Sequence, residues 1–301
     1  MTQPQTRPAP AQVLRAALWM LGSVLSFSSM AVAARALSSD LDTFEMMLYR
    51  SVVGIGIVMV AATATGTLRQ VTTRSIGLQF IRNASHFTGQ NLWLWAITLL
   101  PLAQVVALEF TSPLWVILLA PIFLGERITG VRVLAAAIGF VGILIVARPD
   151  FGAIDAGILA AAGAAVGFAG SAVFTKVLTR TESITSILFW LVTMQAAFAL
   201  VLAGMDGDIT WPRPENWPWI AVIGAAGLVA HFCLTRALGH APALVVLPLD
   251  FIRLPLIALI GVALYDEALE WPVLLGAIII LGANILNIRG EARRERKASL
   301  A

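Results

Sequence analysis

The sequence predicts an all-α integral membrane protein: ten transmembrane helices arranged as two inverted five-helix repeats. Three observations carry that prediction, namely the composition, the spacing of the apolar runs, and a self-match of the chain at one offset. Of 301 residues, 59% are hydrophobic and only 12% charged, and the mean hydropathy is +0.87. A soluble domain carries about 25% charged residues. This chain lacks the polar surface to cover a body in water, so lipid is the solvent for most of it. Crossing a bilayer core of about 30 Å takes about 20 apolar residues per helix. Only helices satisfy every backbone group within such spans, and the runs are too long for barrel strands.

The first segment, 14–34, follows a polar tail over 1–13 that contains Pro4, Pro8 and Pro10. Arg7, Arg15 and the ending Ala31-Val32-Ala33 imitate a secretory signal, but the run outlasts the apolar core of such signals and reads as a retained helix. The second segment, 44–64, opens on Phe44-Glu45 and Tyr49-Arg50. The third, 78–97, is unusually polar. Arg82, His86 and Gln90 recur at i, i+4, i+8, with Asn83 and Asn91 beside them, a stripe that lipid would reject and that therefore lines a central cavity. Leu100-Pro101 leads into the fourth, 102–123, which holds Glu109 and Pro113 and ends at the turn Gly125-Glu126-Arg127. The fifth, 129–147, stops at Arg148-Pro149-Asp150. The sixth, 156–176, carries a small-residue face of Gly163, Gly167, Gly170 and Ser171, which reads as close helix contact. The seventh, 184–203, precedes a polar run from Gly204 to Pro218, where Trp211, Trp217 and Trp219 mark a membrane boundary. The eighth, 217–238, ends before Ala241-Pro242. The ninth, 243–264, contains Asp250, Arg253 and Pro255 and is followed by Asp266-Glu267. The tenth, 272–288, starts at Trp271 and gives way to a basic tail from Arg289 to Lys297. Both tails read as disordered.

Orientation follows from the bases. With both termini cytoplasmic, fourteen Lys and Arg collect on the cytoplasmic side, against Arg35, Arg148 and Arg213 outside; Arg50, Arg82 and Arg253 fall within spans. That is a strong positive-inside bias. The bases form no patch for nucleic acid. Cys233 is the single cysteine, so no internal disulfide forms, and its apolar setting suggests an inert thiol.

Sliding the chain on itself by 141 residues aligns Phe27 with Phe168, Arg35 with Lys176, Pro101 with Pro242, Phe110 with Phe251 and Glu126 with Glu267. It also aligns Glu109 with Asp250. The two copies span 14–147 and 156–288, with the basic cytoplasmic tail over 289–301. Because each copy holds an odd number of helices, the second enters the membrane from the other side. Inverted repeats are a construction of secondary transporters, with substrate bound near the midplane.

These features together resemble the drug/metabolite transporter superfamily and, within it, the EamA-type family of two tandem five-helix repeats, over about residues 14–288. The resemblance rests on the ten-helix layout, on Phe44-Glu45…Tyr49-Arg50, on Gly125-Glu126-Arg127 and on its echo Asp266-Glu267. It implies a secondary active transporter that moves a small organic metabolite across the inner membrane by alternating access. Riboflavin, amino acids and S-adenosylmethionine are the candidate substrates. The expected partners are that metabolite, the lipid bilayer, protons as coupling ion and a second copy in a homodimer, with no cofactor and no metal. A non-transporting membrane scaffold and a membrane-embedded enzyme are the rival readings. The enzyme would need clustered His and acids, whereas the three His are scattered, and no GxxxxGK[ST] phosphate loop is present.

Charge inside lipid costs about 2.5–3.5 kcal/mol per residue on insertion scales, so it marks substrate paths or structural pairs. The expected substrate-binding residues are Arg50, His86, Gln90, Asn91, Glu109, Asp250, Arg253 and His231, with Glu109 and Glu45 as proton-coupling candidates. His231 aligns with Gln90 in the repeat. Arg82, near the cytoplasmic end of its helix, reads as snorkelling to the headgroups. Asp250 and Arg253, three apart, are placed to pair on one helix face. Glu109 has Ser112 at the matching place, which makes it the sharper functional candidate.

Overall fold

A computed structural model describes residues 10–124, 130–147, 155–205, 207–241, 246–268 and 270–298. The turns around Gly125-Glu126-Arg127 and Arg148-Pro149-Asp150 and the tail over 1–9 lie outside the described residues. Among those described there is no strand. The helices are α1 (Pro10–Leu37), α2 (Thr43–Ala64), α3 (Ile76–Leu99), α4 (Leu102–Glu109), α5 (Ser112–Leu124), α6 (Gly130–Ala147), α7 (Ala156–Leu178), α8 (Ile184–Ala203), α9 (Trp217–His240), α10 (Arg253–Tyr265) and α11 (Trp271–Ala298). Six stretches are long and apolar enough to cross a membrane: Leu14–Leu37, Thr43–Ala64, Leu102–Leu119, Ala156–Leu178, Ile184–Ala203 and Pro214–His240. The protein is an integral membrane protein by that measure. Its exterior agrees: Leu14, Leu18, Leu21 and Leu25 form an exposed apolar stripe along α1, the face a helix turns to lipid.

Local chemistry starts several helices. Asp42 caps α2 in a capping box with Glu45: each side chain accepts from the other residue's backbone N–H. Asp155 accepts from Gly157 and Ile158 N–H at the start of α7, and Ser183 from Ser186 N–H at the start of α8. Asp266 ends α10 in the left-handed region, φ 50°, which Asp tolerates better than most residues.

Two predicted spans are not continuous. The fourth breaks at Phe110-Thr111 into α4 and α5, and the ninth is a 3-10 turn over Leu247–Ile252 followed by α10. Proline explains both. Pro113 and Pro255 lack the N–H that would reach the carbonyl four residues back, at Glu109 and Phe251. The restarts, Ser112 and Arg253, are themselves 141 apart. The C-terminal tail also differs from expectation: α11 runs helical to Ala298. Its Glu, Arg, Lys and Ala residues are good helix formers, with Glu291 three positions before Arg294 in the sequence.

The packing repeats at the same offset. Cys233 on α9 lies against Gly22 on α1, and Leu92 on α3 against Gly163 on α7; a Cβ on either glycine would stand 3.0 Å from the side chain facing it. Adding 141 to one partner and subtracting it from the other converts the first pair into the second. Ser23 Oγ donates to the Ala230 carbonyl (3.3 Å), and the related pair Ala164–Gly89 is also in contact. Both interfaces are antiparallel. α3 runs parallel to α8 (Asn83 near Met194, Phe87 near Phe198), and α2 runs antiparallel to α8 and parallel to α9. With α1 antiparallel to α9, these relations make α7 run opposite to α1. The α3–α7 crossing is close, since a Cβ on Gly167 would fall 2.7 Å from the Gly89 Cα.

Candidate functional site

The breaks in the two discontinuous helices face each other inside the bundle. Glu109 is the last residue of α4, Asp250 sits in the 3-10 turn, and Arg253 is the first residue of α10. A buried guanidinium joins them. Arg253 Nη2 donates to Glu109 Oε1 (2.5 Å) and to Asp250 Oδ2 (2.7 Å), and Nη1 donates to Glu109 Oε2 (3.2 Å). Trp93 Nε1–H adds a bond to Glu109 Oε2 at 2.9 Å. The Phe27 and Phe110 rings lie 5.3 and 5.4 Å from the guanidinium carbon, within cation–π range. With all three groups ionised, the cluster carries one carboxylate in excess.

This revises the sequence-based contrast between the two acids. Glu109 is not the unpaired one, because Arg253 spans both helix breaks and holds it with two N–H groups. A residue 144 positions away supplies its counter-charge, which spacing along the chain cannot reveal.

A cavity with an empty volume of about 900 Å³, including the part open to the outside, extends from this cluster between α1, α3, α5, α7 and α9. Its walls are aromatic. Phe27 meets His231 edge-on (centroids 5.4 Å), His231 meets His86 edge-on (4.6 Å), and His86 leans on Phe168 (5.9 Å). His86 and His231 Nε2 and Asp250 Oδ1 are buried without a protein partner. Buried polar atoms are nearly always paired, so three such atoms on one cavity mark a surface prepared for a ligand or for water. Gln90, Ser171, Thr175 and Thr235 add polar groups to the lining.

Of the predicted residues, the fold brings together His86, Gln90, Glu109, His231, Asp250 and Arg253 at the cavity. It does not bring Arg50, Asn91 or Glu45 there. Asn91 donates to the Phe87 carbonyl on its own helix (2.9 Å). Glu45 caps α2 and accepts from Thr210 N–H, a structural task. Arg50 is buried in a separate cleft between α2, α8 and α9, packed where Gly227 leaves room; a Cβ there would fall 2.6 Å from Arg50 Nε. Arg82 departs from the snorkelling expectation: it is 1% exposed and lines the cavity, bonded to Thr175 Oγ1 (3.1 Å) and Asn83 Oδ1 (2.9 Å). Sequence reasoning also passed over Phe27, Phe110 and Phe168 as cavity walls. Their signal was present, since Phe27 and Phe168 are repeat images and Phe110 adjoins Glu109.

Known proteins share this architecture. A family model described as the EamA-like transporter family matches residues 14–148 and 155–289. A riboflavin transporter of Brucella anthropi is 36% identical over 76% of this chain and 82% of its own length. Another, of Rhizobium johnstonii, is 34% identical over 69% of each chain. An S-adenosylmethionine uptake transporter of Rickettsia felis is 25% identical over 91% of this chain and 92% of its own. A crystal structure with 20% sequence identity superposes with a TM-score of 0.68 over 93% of this chain and 98% of that one, a likeness of fold.

Proposed function

We propose, from the premise that the chain belongs to the EamA-like transporter family, that it carries riboflavin across the bacterial inner membrane by alternating access. Ten crossings in two inverted copies, residues 14–147 and 156–288, with both termini cytoplasmic, form the architecture of this proposal. The observation that carries it is the aromatic-walled cavity at the junction of two interrupted helices. Interrupted helices at a repeat interface are where transporters bind substrate, and Phe27, Phe168, His86 and His231 offer ring surfaces to a flat heterocycle. The names of the more similar relatives select riboflavin among flat, polar metabolites. Saturable riboflavin uptake in proteoliposomes, abolished by closing the cavity with Ser171→Trp, is the expected result; flux indistinguishable from empty liposomes rejects the substrate.

The excess negative charge at Glu109–Asp250–Arg253 supports a second reading, transport of S-adenosylmethionine, whose sulfonium and amine would complement it. Competition between the two compounds separates the readings. We further place a coupling proton at Glu109, one of the two carboxylates that share the single Arg253 guanidinium. Glu109→Gln then abolishes uptake driven by a pH gradient while leaving exchange at equal pH; pH-driven uptake at the wild-type rate rejects proton coupling there.

A further inference from the structure

Arg82 presents a problem that the Glu109–Asp250–Arg253 cluster does not solve. It is 1% exposed, and among the described residues no carboxylate lies within ion-pair distance of it. A guanidinium offers five N–H donors. Thr175 and Asn83 accept from Nε and Nη1, and the rest of the fork belongs to a side chain that lines the cavity. A desolvated cation left without an anion is costly in lipid, so a partner that arrives with the ligand accounts for its placement. Arg82 and Trp93 are eleven residues apart on α3, about 16 Å along the helix axis. The Arg82 guanidinium, with donors left over beyond these two bonds, and the acid cluster therefore lie toward opposite ends of one cavity.

We infer that Arg82 anchors a paired-acceptor edge of the substrate, which orients the molecule lengthwise with its donor-rich end at Glu109 and Asp250. A fork of this kind matches two adjacent acceptors in one plane. In riboflavin, the reading on which this inference rests, that edge is N1 with the neighbouring C2 carbonyl; in S-adenosylmethionine it is the carboxylate. The three-ring head then lies against His86 and Phe168 near Arg82. The ribityl hydroxyls reach the carboxylates, and the partnerless Asp250 Oδ1 accepts from one of them.

Flavin fluorescence titration of the purified full chain tests this with riboflavin and with 1-deazariboflavin, in which a C–H replaces N1. Wild type binds riboflavin more tightly than the deaza analogue. Arg82→Lys keeps the charge but not the fork; it weakens riboflavin about ten- to hundredfold, the scale of lost hydrogen bonds to a charged group, and brings the two ligands to similar affinity. The inference is overturned if Arg82→Lys binds riboflavin as wild type does, or if it weakens both ligands by the same factor. Should the variant not fold, equal binding of the two flavins by wild type overturns it alone, and weaker binding of the analogue supports it. If wild type binds S-adenosylmethionine and not riboflavin, the substrate proposal fails instead. The role of Arg82 then stands or falls on whether Arg82→Lys weakens S-adenosylmethionine.

Discussion

Arg253 is the residue on which the centre of the molecule turns. Its guanidinium is buried, bonded to two carboxylates and flanked by two phenyl rings. Removing one member of such a cluster costs more than the cluster's net worth, because the charges left behind stay desolvated. Arg253→Met is expected to destabilise the protein by about 3–5 kcal/mol, read as a lowered Tm in detergent. Adding Glu109→Gln should recover part of that loss by deleting a stranded charge; a double variant less stable than the single one contradicts this account. Trp93→Phe keeps the ring and removes only the N–H bonded to Glu109. Its expected cost is about 1–3 kcal/mol, measured in the same assay. At this scale the sequence showed which charges fall within apolar runs, while the partner that Glu109 finds in the fold stayed hidden. Asp250 with Arg253 is a local pair that spacing reveals, whereas Glu109 with Arg253 joins separate halves of the chain.

Among the elements, α3 and α7 cross closely, and glycines permit it. A Cβ on Gly167 would meet the Gly89 Cα and N and the Ser85 carbonyl, all backbone atoms that cannot step aside. Gly167→Leu is expected to cost at least about 1–3 kcal/mol through overpacking and to misplace His86, which shares α3. Gly56 on α2 is the control, with nothing within 4 Å of an added Cβ. Gly56→Ala is expected to be neutral or to stabilise by up to about 1 kcal/mol, as alanine outranks glycine in a helix. If the two substitutions cost the same, close approach is not what Gly167 provides. The small-residue face of this helix was legible because it recurs at helical spacing. The helix breaks after Glu109 and Asp250 were half legible: Pro113 and Pro255 announced freed carbonyls, but not that the chain would restart at Ser112 and Arg253.

For the whole molecule, an ion pair at one end of the bundle ties α1 to the segment after α10, and we propose that it latches that end in the transport cycle. Arg35 Nη2 pairs with Glu267 Oε1 (3.0 Å) and bonds to the Leu100 carbonyl (2.8 Å), and Glu267 accepts from Leu102 N–H. In the proposed orientation this is the exterior end, and the repeat image of Arg35, Lys176, belongs to the opposite side. Glu267→Gln should weaken the latch. With Met30, a cavity residue, changed to Cys and Cys233 changed to Ala, a membrane-impermeant thiol reagent applied outside should then react faster than in the parent with Glu267 intact. An unchanged rate removes the latch from the transport cycle.

The sequence by itself determined that the chain is helical and lives in lipid, since too few charges and apolar runs of helical span length leave no other solvent. It also carried its own duplication, because a constant offset preserves turn formers and charges. Only the tertiary structure decided which charges are neutralised, that Arg82 faces the cavity rather than the headgroups, and that Arg50, Asn91 and Glu45 stand apart from it. The reason is physical. Transfer into lipid depends on local composition, which a linear pattern records, whereas pairing depends on how helices approach and rotate, which contacts such as Gly89 with Gly167 set across distant parts of the chain.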